Sequence, residues 1–254
     1  MNIVGHKRIF YGISAALFVS SITAIAIFGL RLGIDFTGGS LIELEFAGDR
    51  PSIEELSGRL APLALGEVRL QPSGERGFLI RLRHVTEAEH QEILRRVGSE
   101  GVEKRFDTIG PTIGKELRQR SVIAILLVIF LIVSYIAWAF RKVSDPIASW
   151  KYGVATVVAL VHDVVIPAGF FAVAGYLAGF EVDTLFVTAL LTILGFSVHD
   201  TIVVFDRIRE NLKKASRSAE FGAIVNQSVN ETLVRSLNTS LTVVLALAAV
   251  WLFG

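Results

Sequence analysis

No cysteine occurs among the 254 residues. Disulfides, thiol catalysis and cysteine-ligated metals are therefore excluded, and the redox compartment has no marker. Charge of one sign is lacking too: the formal net charge is +1, which points to neither nucleic acid nor any other partner. No phosphate-loop spacing is present, and no His, Asp and Glu spacing suggests a metal site. Neither a catalytic cleft nor a cofactor motif can be read, so an enzyme is not expected.

What the chain has is apolar residues. They make up 52% of it, and the mean hydropathy is +0.57, which places it in the membrane class. Five runs are long enough to span a bilayer: about Ile9–Leu30, Val122–Phe140, Tyr152–Leu177, Thr184–Val204 and Leu233–Phe253. Trp150 and Tyr152 sit where interfacial aromatics are expected. Ala24-Ile25-Ala26 imitates a signal-peptidase site, but the first run continues to Leu30, longer than a signal core. A retained first span is expected, with cleavage as the alternative.

Short loops set the orientation. His6, Lys7 and Arg8 flank the first run, Arg141, Lys142 and Lys151 lie between the second and third, and Arg207, Arg209, Lys213, Lys214 and Arg217 follow the fourth. The turn 178–183 has acids and no Lys or Arg. The positive-inside rule then puts the N-terminus in the cytoplasm and residues 31–120 on the far side.

That region reads as an α+β domain. Leu41–Phe46, Val68–Gln71, Phe78–Leu82 and Val102–Ile109 are expected strands, the middle two joined around Pro72-Ser73-Gly74. Ser52 with Glu55, and Thr86 with Glu89, have capping-box spacing and open two helices. The β-α-β-β-α-β order is the split, ferredoxin-like pattern. Residues 208–232 carry apolar positions at near-helical spacing and suggest an amphipathic helix along the cytoplasmic interface, or else a solvated connector.

Ionisable residues inside spans carry the functional reading, because they are costly in lipid and usually paired. Asp200, flanked by His199, lies in the fourth run, and Arg235 opens the fifth. Antiparallel neighbouring spans would put the two at similar depth, where Arg235 holds Asp200 ionised until a proton releases the pair. A static salt bridge, or an Arg235 that snorkels to the headgroups, is the bland alternative. His162-Asp163 falls mid-way along the third run, either in a proton relay or as helix-to-helix glue. Gly38 and Gly39, after Asp35 and Thr37, permit a sharp exit from the first span, or form a simple connector.

Three segments together resemble the SecD/SecF protein-export membrane protein family, related to the RND transporters. They are Gly33-Ile34-Asp35-Phe36-Thr37-Gly38-Gly39, the fourth-span stretch from Gly195 through Asp200 to Asn211, and Asn230 to Ser240. The single small external region is similar to the SecF branch. The resemblance implies an RND-like helical bundle in the bacterial inner membrane, pairing with SecD and the SecYEG channel, with YajC and YidC at times. It implies that exported polypeptides are the substrate and protons the coupling ion, with no other cofactor. It places the coupling acid at Asp200, the arginine at Arg235 and the double glycine at Gly38 and Gly39, with Asp163 a weaker correspondence. It also implies six spans, of which the sixth is absent from these 254 residues. An RND-type exporter of small molecules or lipids, or a scaffold that transports nothing, stands as the competing reading.

Overall fold

The computed structural model describes residues 1–139, 149–216 and 219–253. Arg141, Lys142 and Arg217, which belong to the charge argument, lie outside the described residues. Among those described, five helices are long and apolar enough to cross a membrane. They are α1 (Lys7–Phe28), α5 (Pro111–Ala139), α6 (Ser149–Ala178), α7 (Thr184–Lys214) and α8 (Phe221–Phe253). The protein is a multi-pass membrane protein with a small antiparallel sheet. The chain divides into two compact units: Met1–Gly29, Ile125–Phe170 and Thr188–Gly254 form one; Leu30–Ala124 and Phe171–Val187 form the other.

The sheet unit contains the short helix α2 (Ile34–Thr37), then β1 (Gly39–Phe46), α3 (Ile53–Leu60), β2 (Arg69–Ser73), β3 (Gly77–Leu82), α4 (Glu87–Val97) and β4 (Gly101–Ile109). The strand order is β2-β3-β1-β4, and every neighbouring pair is antiparallel. Alternation of side chains sends Ile42, Leu44, Phe46, Phe78, Ile80 and Leu82 to one face, where Leu56 and Leu60 of α3 and Ile93 and Val97 of α4 complete the core. Pro72 lies inside β2 rather than in the turn, opposite Phe78. β2 is an edge strand, where a missing N–H is tolerated.

Both helix starts are capped, but differently. Thr86 and Glu89 form the full reciprocal box. Arg83, then the Thr86 backbone, hold the Glu89 carboxyl down at about 2. At α3 only half the box forms: Ser52 accepts from the Glu55 N–H, while the Glu55 carboxylate turns to Arg59.

One expectation about the bundle is corrected. Residues 208–232 are not a separate interfacial helix: Ile208–Lys214 continues α7, and Phe221–Thr232 is the first third of α8. Its apolar and small polar positions face neighbouring helix, since Ile208, Asn211, Ile224, Ser228 and Thr232 are all buried. A 3.6-residue period looks the same whether it packs on lipid or on protein. Tyr152 is buried, with its ring edge-on to Phe205 at 5.0 Å, in a core with Ile136, Leu160, Leu194 and Val198.

Candidate functional site

The bundle unit carries polar groups at three levels. The first is where α7 and α8 meet. Arg207 pairs with Glu231, and Asn211 donates to Ser228 Oγ at 3.0 Å and to Glu231 Oε2 at 2.8 Å. The N-terminus closes on the same end. Asn226 and Asn230 each donate a side-chain N–H to the Met1 carbonyl, and the Val4 N–H donates to Asn226 Oδ1. The Arg207 and Asn211 bonds fix the antiparallel register of α7 against α8.

The register decides where the predicted pair falls. Arg207 lies level with Glu231, and His199 and Thr239 line one recess of about 420 Å³. Counting along both helices puts Asp200 level with Asn238 and Arg235 level with Val203, so the two are about one turn, or about 5 Å, apart along the axis. Accordingly no ion pair within 4 Å joins Asp200 to Arg235 among the described residues, and the pairing expected from sequence is not made in this structure. Asp200 Oδ1 is buried with no hydrogen-bond partner. Arg235 is exposed and lines a recess of about 480 Å³ with Tyr135, Val203, Arg207 and Glu231. His199 is exposed, and among the described residues no ion pair within 4 Å joins it to Asp200.

The third level joins α1, α6 and α7. Ser14 Oγ lies 2.6 Å from His162 Nε2, and His162 Nδ1 lies 3.0 Å from Asp163 Oδ1. Ser197 donates its hydroxyl to Asp163 Oδ2. Phe18 stacks on the His162 ring at 6.3 Å. Neither Ser14 nor Ser197 stands out in the sequence, because an isolated serine does not disturb the apolar period of a span. Their contacts follow from close helix packing. A Cβ on Gly169 would come within 2.3 Å of Ser21 Cβ, so only glycine lets α1 approach α6 there. Ser14 with His162, and Ser21 with Gly169, share one offset of 148 residues, as two parallel helices require. Pro167, inside α6, has no N–H for the carbonyl of Asp163 four residues back. The reach is that of a Ser-His-Asp nucleophile, but the peptide N–H groups around Ser14 are spent within α1. Without donors for an oxyanion, acyl transfer has no support.

In the sheet unit, Asp35 Oδ2 accepts the Thr184 backbone N–H at 2.9 Å and its hydroxyl, capping α7. Gly33 N–H donates to the Val182 carbonyl at 2.9 Å, and Val182 N–H to the Arg31 carbonyl at 2.7 Å. The double glycine makes this turn possible. Gly38 and Gly39 have φ of +73° and +140°, and a Cβ would lie 2.7 Å from Pro111 Cα or 2.8 Å from the Leu82 carbonyl oxygen, respectively. Sequence reasoning missed Glu181, which pairs with Arg81 at 2.7 Å, and Gln71, which accepts from Arg81 and donates to the Ala178 carbonyl. Burial pushes the Glu181 carboxyl above its ordinary value, against the pull of Arg81 and Arg69.

Comparison with known proteins decides the family. Residues 89–254 match the SecD/SecF C-terminal family of protein export membrane proteins, and residues 23–49 match the SecD/SecF GG motif. The chain belongs to the SecD/SecF family. The protein translocase subunit SecF of Thermobaculum terrenum is 42% identical, covering 100% of this chain and 83% of the relative. SecF of Anaerolinea thermophila is 38% identical with the same coverage. The crystal structure of SecDF from Thermus thermophilus, a translocon-associated membrane protein, superposes with a TM-score of 0.84 at 34% identity, over 100% of this chain and 34% of that one. The SecD/SecF GG motif thus contains the two glycines whose backbone has no room for a side chain.

Proposed function

We propose that this chain is the SecF subunit of a protein-export complex in the bacterial inner membrane, working with SecD at the SecYEG channel, with YajC and YidC as occasional partners. It uses the proton gradient to help polypeptides leave the channel on the far side. The relatives named SecF support the assignment, and the Thermus thermophilus SecDF, of which this chain matches 34%, supports a SecD partner. The N-terminus is cytoplasmic and residues 31–120 are external, as the loop charges argue. The external domain is read as ferredoxin-like, supported by the order β2-β3-β1-β4.

One observation carries the coupling: Asp200 holds a buried carboxylate oxygen without a hydrogen-bond partner, about one helical turn from the exposed Arg235. A charge in lipid needs an opposite charge close by, and an arginine side chain spans about one turn, so a small slide of one helix closes the pair. Two packings of α7 and α8, with the pair open and with it closed, are the two states of the coupling. A proton crossing the membrane supplies about 2.3 kcal/mol per 100 mV to bias them. His199, His162 and Asp163 are the other candidates for the relay. The test is Asp200→Asn in the assembled complex, with export measured with and without a proton gradient. Loss of the gradient-dependent part supports the reading; an unchanged gradient dependence overturns it.

A further inference from the structure

Asp200 has no bonded route to a proton in this structure, but one turn away on α7 begins a continuous chain of polar side chains. We infer that His162 is a second proton-holding site, which takes up a proton on the Ser14 side and passes it to Asp163, on the side of Ser197 and Asp200. This rests on the coupling proposed for Asp200 and adds a named donor to it.

The ring sits between two different partners. In the resting arrangement the neutral imidazole donates its Nδ1–H to Asp163 Oδ1 at 3.0 Å, and Nε2 accepts the Ser14 hydroxyl at 2.6 Å. That tautomer follows from the carboxylate, which can only accept while it is ionised. A proton arriving at Nε2 forms an N–H bond there, and the Ser14 hydroxyl turns to accept it. The Nδ1–H bond then breaks and its proton moves to Asp163 Oδ1. One proton has crossed the ring, the imidazole is neutral again, and the carboxylate has become a carboxylic acid. Ser197 bonds the other oxygen of Asp163, and it lies three residues from Asp200, hence on the same face of α7. No oxidant or other reactant is needed.

The groups facing His162 are few. Ser14 and Phe18 come from α1, Asp163 from α6, and Ser197 of α7 reaches it through Asp163. Asp163 is the one charged group bonded to the ring among the described residues. Ring and carboxylate are each only about 30% exposed, and lipid covers much of what remains in a membrane. Imidazole has two ring nitrogens, so it can gain a proton on one side and give one up on the other, which an amide cannot do. A purely structural bond would need only a neutral amide at position 162.

The experiment uses the full chain in its membrane complex. His162→Gln keeps a hydrogen-bonding amide but cannot hold a proton. Gradient-dependent export should fall by about fivefold or more and lose its pH dependence, with abundance and complex assembly intact. Ser14→Ala removes the hydroxyl bonded to Nε2 and should change the pH profile of export, which a purely structural bond would leave unmoved. Independently of export, ¹⁵N-histidine spectra in lipid should show a ring that changes protonation state with pH and whose signal disappears in His162→Gln. No such titration, or a His162→Gln variant with the wild-type pH profile, overturns the inference. If Asp200→Asn removes gradient dependence while His162→Gln does not, the relay alone fails. If Asp200→Asn leaves it intact, the coupling reading fails, and the ¹⁵N titration still decides whether His162 holds a proton.

Discussion

Arg207 of α7 is paired with Glu231 of α8, and this pair sets Asp200 one helical turn away from Arg235. The bond lies at the end of the bundle where the Met1 carbonyl also meets α8. It acts as a register pin: sliding one helix by a turn would bring the acid and the arginine together and would have to break it.

The register gives the first prediction. Because the natural chain has no cysteine, introduced pairs can be cross-linked without background. The double variant His199→Cys, Thr239→Cys should form a disulfide readily, since both positions line one recess. The pair His199→Cys, Arg235→Cys should form it poorly, because it is offset by about one turn. Adding Glu231→Gln should narrow the difference by freeing the slide. Equal yields for the two pairs in the otherwise natural chain, read on a non-reducing gel, would refute the register.

Gly169 gives the second. Alanine there must displace Ser21 and with it α1, costing about 1–3 kcal/mol as overpacking does. Gly12→Ala on α1 meets nothing within 4 Å and should be neutral, or stabilising by up to about 1 kcal/mol through helix propensity. Denaturant unfolding of the two variants in mixed micelles should move in these different directions. A Gly169→Ala protein as stable as the natural one would mean that α1 and α6 do not touch here.

Much of this arrangement is legible in the sequence. The five spans follow from run length, and the four strands from alternation and turn residues, because burial on one face writes itself into sequence with a fixed period. Asp200 and Arg235 were legible because a charge inside an apolar run is costly. Their separation was not, since depth along two helices depends on a register set by Arg207, Glu231, Asn211 and Ser228, which look like ordinary surface polars. Ser14 and Ser197 were silent for the same reason. The loop at Glu181 shows in sequence only a turn without basic residues. Its partner Arg81 is far away in sequence, and nothing local announces a pair made by tertiary packing.

The double glycine gives the third prediction. Gly38→Ala and Gly39→Ala each combine a positive φ with a backbone clash, and each should cost about 1–3 kcal/mol. Gly66→Ala shares a positive φ but has open space around it, so it reports the backbone strain alone and should cost less. Limited proteolysis of the sheet unit in membranes should rank Gly38→Ala and Gly39→Ala as most labile. A ranking with Gly66→Ala at the top would remove steric crowding as the reason for the motif.

Glu181 gives the last, and its sign follows from linkage. Burial raises its carboxyl above the ordinary carboxylate value in the folded unit, despite Arg81 at 2.7 Å. The folded form therefore holds that proton more tightly than the unfolded one. Its contribution to stability is fully present below the ordinary value and is lost as pH rises through the raised one. Amide exchange at Gly33 and Val182, whose N–H groups bond within this loop, should thus speed up across that window beyond the intrinsic base-catalysed rise. Glu181→Gln should abolish the extra step. Arg81→Ala should enlarge it and cost about 1–3 kcal/mol at neutral pH, between the exposed and the fully buried cases, because the ionised carboxylate loses its nearest cation. If exchange at these two amides follows only the intrinsic rate in all three proteins, Glu181 does not titrate with the fold.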